Sequence, residues 1–325
     1  MTRGQVSREM SSSGMGEQMS LPDHAAGFPG DTEAEIASQP ACWRRAARLA
    51  GEAAAALPRH GERVAVVGCG TSWFIAQSYA AAREESGHGE TDAFPASEVP
   101  HGRRYDRVLV LSRSGTTTEV VDLLTRLAAT LPTTAITADA STPVAAAADT
   151  VIALDFADER SVVQTRFATS ELALLLTHLG QDIEPMAAAA DEILAASLPD
   201  ELLRAEQFTF LGTGWTRGLA SEAALKLREA AGFWTEDYPA MEYRHGPISV
   251  AGPNRVVWIF GSAPDGLAEE VKAAGGLVWH PAEAELTPLA ELVRVHRVAA
   301  AIARARGLDP DRPRNLTRSV ILLPR

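Results

Sequence analysis

The amino-acid sequence predicts an α/β protein made of two doubly wound parallel-sheet domains in tandem, followed by a C-terminal tail. Three observations lead there. Short apolar runs end in Gly- or Ser-rich turns that open directly into helical patterns, the local grammar of a strand feeding a helix. That unit recurs along the 325-residue chain, and strands alternating with helices of roughly 10–15 residues build βαβ units and a mostly parallel sheet. The two halves also follow the same order, with VAVVGCGTSWFIAQSYA lying over FTFLGTGWTRGLASEAA and VLVLSRSGTTTEVVDLL over VVWIFGSAPDGLAEEVK.

Taken in order, residues 1–30 are rich in Ser, Gly and Met without a hydrophobic period and read as a disordered tail. Four of the six methionines (Met1, Met10, Met15, Met19) fall in it, which leaves Met15 and Met19 open as translation starts. The first domain, 31–198, leads with an Ala/Leu/Arg helix over 41–57 that Pro58 stops. A strand over 63–67 (RVAVV) ends in the turn GCGTS and a helix through Ala82; a second over 107–111 (RVLVL) ends in SRSGTTT and a helix from Glu119. Strands over 134–137 and 151–154 and a helix over 165–179 complete the unit. The second domain, 199–306, restarts with a strand over 208–211, the turn Gly212-Thr213-Gly214 and a helix over 217–231. Strand 256–260, helix 266–274, strand 277–279 and helix 288–306 follow, and a polar tail occupies 307–325.

Composition narrows the function. With 46% hydrophobic and 22% charged residues the chain has the profile of a core-forming protein. A net charge of −12 with no clustered basic run argues against nucleic acid or an anionic membrane as the main partner, since such surfaces are held by Lys/Arg contacts to phosphates. No apolar stretch approaches the roughly 20 residues of a spanning helix, and the N-terminus lacks the apolar region of a signal peptide, so a cytoplasmic location is expected. Cys42 and Cys69 offer neither a disulfide framework nor a metal spacing; both read as core or loop cysteines, and no metal site is expected.

Two hydroxyl-rich turns carry the first chemical signal: Thr71 and Ser72 after the first strand, and Ser112, Arg113, Ser114 and Thr117 after the next. Each follows a strand and opens a helix, where unpaired N–H groups and the helix dipole favour an anion. Helix capping is the alternative use of such residues. GCGTSW lacks the third glycine of a dinucleotide fingerprint, so a phosphate ester is the better ligand class. The second signal is Glu222, Lys226 and Glu229, whose offsets of four and seven residues place them within about 60° of one helix face. A solvated face is the alternative, but 28 of the 30 cations are arginines and only Lys226 and Lys272 are lysines. A lysine chosen against that bias points to a compact amine that guanidinium cannot replace. The third is His245, which Gly246-Pro247 present on a loop; His24, His60, His88, His101 and His280 sit in loop-like or terminal text and receive no role.

Together these residues resemble the sugar isomerase (SIS) family, most closely the isomerase half of glucosamine-6-phosphate synthase and single-chain amino-sugar-phosphate deaminases and ketose isomerases. The resemblance rests on EIASQP (35–40), GCGTS (68–72), SRSGTTTE (112–119), ERSVVQTR (159–166), SEAALKLREAAGFWTEDYPAMEYRHGP (221–247) and GLDPDRPRNLTRSV (307–320). It implies flavodoxin-like SIS domains and a homodimer with a sugar-phosphate site near the subunit interface. By the same resemblance Ser72, Ser112, Ser114 and Thr117 bind phosphate, and Glu229 is the base moving a proton between C1 and C2. Lys226 and Glu222 assist it, and His245 opens the sugar ring in the neighbouring subunit's site. No cofactor is implied.

Three departures shape the expected reaction. No cysteine precedes Cys42, so the amide-hydrolysing domain of the synthase is not expected. Arg318 stands where the synthase has a lysine, and a guanidinium forms no Schiff base. Arg113 replaces a usual glutamine and Gln164 a serine, which alters the pocket. The reading is therefore an isomerase or deaminase of an amino-sugar or ketosamine phosphate. The alternatives are a non-catalytic sugar-phosphate sensor and an aminotransferase fed by a separate amidase.

Overall fold

The computed structural model describes residues 30–282 and 286–322; the tail expected over 1–30, with its candidate starts and His24, lies outside them apart from Gly30. The chain enters through α1 (Asp31–Ala37) and α2 (Gln39–Ala53). It then alternates through β1 (Val64–Gly68), α3 (Thr71–Glu85), β2 (Thr91–Pro95), β3 (Arg107–Leu111), α4 (Thr118–Leu127), β4 (Thr133–Thr137), α5 (Pro143–Ala147) and β5 (Thr150–Ala153). Helices α6 (Arg166–His178), α7 (Glu184–Ala195) and α8 (Asp200–Leu203) lead to a second series. That series is β6 (Gln207–Gly212), α9 (Thr216–Ala231), β7 (Thr235–Pro239), β8 (Arg255–Phe260), α10 (Leu267–Ala273) and β9 (Leu277–Trp279), closed by α11 (Pro288–Ala305).

The strands form two wholly parallel sheets, five-stranded in the order β2-β1-β3-β4-β5 and four-stranded in the order β7-β6-β8-β9. Every residue of β1, β3 and β4 is buried, as a parallel sheet covered on both faces requires. Alternation along the strands divides the apolar residues between the faces. Val64, Val66, Leu109 and Leu111 pack with α2, α3 and α6, while Ala65, Val67, Val108 and Val110 pack with Val120, Leu123 and Leu124 of α4. The first of these cores continues into the second sheet through Phe208, Phe210, Val256 and Trp258 and the apolar faces of α9 and α11.

Helices α3 and α9 therefore lie against each other between the sheets. Gly218 sets their approach: a Cβ there would lie 2.3 Å from Phe74 O, so a side chain would push the helices apart. Two strands escape the hydrophobic pattern of the sequence. β2 (TDAFP) and β7 (TEDYP) each pair with the first strand of their series at a sheet edge and are only partly buried, so acidic residues and a terminal proline are tolerated. Helices α1 and α7 also lie in text that predicts no element. No helix among the described residues is long and apolar enough to cross a membrane.

Candidate active site

Strands β1 and β3 are hydrogen-bonded neighbours, but the chain leaves β1 towards β2 and β3 towards β4. Their following loops diverge and open a crevice at the carboxyl ends of the strands, where open α/β sheets bind ligands. The loop after β1 starts α3 with the buried hydroxyls of Thr71 and Ser72; the loop after β3 carries Ser112, Ser114 and Thr117 into α4. Gly115 makes the second loop possible, since it has φ +63° and a Cβ there would lie 2.0 Å from Thr142 Oγ1.

Capping does not account for these residues. The N-cap of α3 is Gly70, and Thr117, the N-cap of α4, makes no side-chain capping bond. Among the described residues the hydroxyls of Ser72, Ser112 and Thr117 have no hydrogen-bond partner, and the amides of Ser114, Gly115 and Thr117 donate to no protein acceptor. Ser114 Oγ accepts only from Thr116 N, at 3.3 Å. Uncommitted donors and the positive ends of two helices thus converge on one place, which is the physics of an anion site. They line a cavity of about 180 Å³ whose walls also include Cys69, Gln164, Glu229 and the tail from Leu316 to Val320. Cys69, read from sequence as a core or loop cysteine, is part of the cavity wall.

Helix α9 delivers the charged groups. Lys226 is 1% exposed, and its Nζ lies 2.5 Å from Glu229 Oε2, 3.4 Å from Glu222 Oε1 and 2.9 Å from Thr71 Oγ1. The trio is not a solvated face: Glu222 is fully buried, and Glu229 is the member that reaches the cavity. Burial pushes the Glu222 carboxyl up to about 8, against the opposing pull of the Lys226 charge. Burial alone would lower the Lys226 ammonium, but Glu222 and Glu229 outweigh it and hold it above its ordinary value. The site therefore contains a charged ammonium. Lys272, the other lysine, is exposed on α10. His296 of α11 is buried with Nδ1 3.2 Å from Gln39 Nε2, and burial and the Lys226 charge hold its imidazole well below the usual range. It carries no signal in the sequence beyond its place on an apolar helix.

Three further candidate residues are placed as follows. His245 is exposed after the single turn Glu242–Arg244 and does not line the cavity of its own chain. Arg113 lines the cavity, but its guanidinium turns to protein: it bonds Ser161 O, Val162 O and Arg318 O and lies 3.6 Å from Glu159 Oε2. Those bonds occupy both terminal nitrogens of the guanidinium. Arg318 lines the cavity while its guanidinium holds Asp158 Oδ1 and Glu159 O.

Residues 59–179 match the SIS domain model. This segment is similar to SIS domains. It contains β1 to β5 and both hydroxyl-rich loops. Over 297 residues the chain is 27% identical to the glutamine–fructose-6-phosphate aminotransferase (isomerizing) of Sulfurisphaera tokodaii, covering 81% of this chain and 50% of that protein. The chain spans about half the length of the curated relatives it matches along most of its own. Among solved structures, glucosamine-6-phosphate deaminase from Thermotoga maritima superposes with a TM-score of 0.76 at 23% identity, covering 90% of this chain and 100% of that one. Tagatose-6-phosphate ketose/aldose isomerase from Escherichia coli gives 0.72 at 21%, covering 91% and 97%. Most of the chain, through both sheets, thus shares the fold of these two structures.

Proposed function

We propose that this protein is an enzyme of the SIS family that isomerises or deaminates an amino-sugar or ketosamine phosphate. The observation that carries the reading is the meeting, in one cavity, of uncommitted hydroxyl and amide donors with the carboxylate of Glu229. Ser72, Ser112, Ser114 and Thr117 bind the phosphate, with the free amides of the second loop completing the shell. Fixing that remote group holds the reacting carbons in register.

Glu229 then acts as the base. Its carboxylate takes the proton from the carbon next to the carbonyl or imine; the electron pair forms the enediol or enolamine, and the proton returns to the neighbouring carbon. Lys226 assists from 2.5 Å behind that carboxylate, donating to Glu229 and fixing its position against the substrate. Deamination continues by hydrolysis: hexosamine phosphate and water give ketohexose phosphate and ammonia. A sensor would need the phosphate loop but not a buried Glu222–Lys226–Glu229 cluster, which favours the enzyme.

The protein is further proposed to work as two domains, 31–198 and 199–306, in a homodimer. The exposed His245 of each subunit then serves ring opening in the other's cavity. Imidazole suits that task because its proton exchanges near neutral pH. The deciding experiment incubates purified protein with hexosamine 6-phosphates and fructosamine 6-phosphate and follows both ammonia and sugar isomers. Absence of both products overturns the reading.

A further inference from the structure

Three of the segments that wall the cavity lie far apart in sequence: the loop 112–117, the loop that contributes Val162 and Gln164, and the tail 316–320. Arg113 is where they meet. Its guanidinium, 1% exposed, donates to Ser161 O at 3.2 Å, to Val162 O at 3.0 Å and to Arg318 O at 3.1 Å, and faces Glu159 Oε2 at 3.6 Å. Glu159 is itself fixed, since its other oxygen accepts from Thr165 N at 2.6 Å and Arg166 N at 2.8 Å at the start of α6. Glu35 holds the same loop from α1 by accepting from Arg160 N and Ser161 Oγ. The tail has further ties: the Arg318 guanidinium holds Asp158 Oδ1 and Glu159 O, Ser319 Oγ meets Thr116 Oγ1 at 2.9 Å, Val320 O accepts from Thr118 N at 3.2 Å, and Leu322 N donates to Thr118 Oγ1 at 2.9 Å.

We propose that Arg113 is a positioning residue that straps the C-terminal segment 316–320 across the cavity, making the tail the wall that selects the sugar, while the anion is left to the loop's hydroxyls and amides. This rests on the cavity being the sugar-phosphate site. A planar guanidinium suits the task because its divergent donors reach carbonyls of two segments at once, and an ammonium cannot span them. The buried Glu159 carboxylate, 3.6 Å away, balances the charge of the fork. The strap is otherwise mostly exposed, with Leu316, Val320, Ile321 and Leu322 between 41% and 65% accessible, so little apolar burial holds it and these polar ties decide its place.

The test uses the full chain as Arg113→Gln, Arg113→Lys and the pair Arg113→Gln with Glu159→Gln, which removes both buried charges together. Hydrogen exchange over 316–322 and the affinity for inorganic phosphate are read without turnover; kcat and KM are read with the sugar phosphate the protein converts. Arg113→Gln is expected to speed exchange of the strap by about tenfold and to raise KM by roughly as much, with kcat within about threefold. Phosphate affinity stays within about twofold, and Arg113→Lys fails to restore the strap. A second route avoids the buried pair: Thr116→Val with Ser319→Ala loosens the tail from above and is expected to raise KM in the same way. Unchanged exchange in Arg113→Gln overturns the proposal, as does a freed strap with unchanged KM. Loss of phosphate binding with the strap intact makes Arg113 an anion ligand instead. If no sugar phosphate is converted, the functional reading fails, while exchange and phosphate binding still decide the strap.

Discussion

Lys226 Nζ donates to Thr71 Oγ1 at 2.9 Å, joining residues 155 positions apart. The bond ties the carboxylate helix α9 to the first residue of α3, so the proposed base and the anion loop are parts of one rigid assembly. It forms because Gly218 lets the two helices approach closely. Replacing Lys226 by Met should destabilise the fold by on the order of 3 kcal/mol, because Glu229 and Thr71 lose their buried donor. Lys226→Arg should not restore it, since the guanidinium is too large for a site 1% exposed. Denaturant midpoints for the two variants measure this; a fully stable Lys226→Met would refute the account.

Glu229→Gln keeps the shape of the cavity wall but removes the base. Turnover should fall at least about a hundredfold, the usual contribution of a positioned proton acceptor. Binding of a sugar phosphate should remain near the native value. An active Glu229→Gln enzyme would transfer the base role elsewhere.

The anion loop predicts the opposite pattern. Ser114→Ala combined with Thr117→Val removes two donors facing the cavity and should weaken binding of both inorganic phosphate and the sugar phosphate, by roughly tenfold or more. Global stability should change little, because neither hydroxyl donates to a protein acceptor. Calorimetric titration separates this from a folding defect.

Glu222 should make stability depend on pH. Its carboxyl titrates at about 8 in the fold against 4.5 when unperturbed, so the native state holds the proton more tightly than the unfolded chain. That contribution is fully present below pH 4.5 and is lost as pH rises through 8. Lys226 stays charged across this window and adds no slope. Glu222→Gln, neutral at every pH, should flatten the profile and exceed the native stability at pH 9 by several kcal/mol, roughly the linkage of a shift this large. Denaturant unfolding between pH 5 and pH 9 decides it, and parallel profiles for the two proteins would contradict it.

The exposed His245 gives a test of shared sites. His245→Ala and Glu229→Gln should each be impaired alone, yet mixing the two under subunit exchange should restore activity towards about a quarter of native, from mixed dimers carrying one intact site. No recovery would place His245 in its own subunit's chemistry or outside it.

Local features of the fold are legible in the order of the amino acids. Apolar runs followed by glycine and hydroxyl turns define β1, β3, β6, β8 and the helices after them, because a strand's burial and a helix start are written in adjacent residues. The spacing of Glu222, Lys226 and Glu229 likewise fixes a shared helix face. The edge strands β2 and β7 were not legible, since their pairing comes from the neighbouring strand and not from an apolar pattern. Tertiary structure decided which way long side chains turn. Arg113 lies in the anion loop yet its guanidinium is drawn to Glu159 and to carbonyls up to 205 positions away, because a buried cation settles where a carboxylate and unpaired acceptors already converge. Such convergence is a property of the folded chain, and no neighbouring residue announces it.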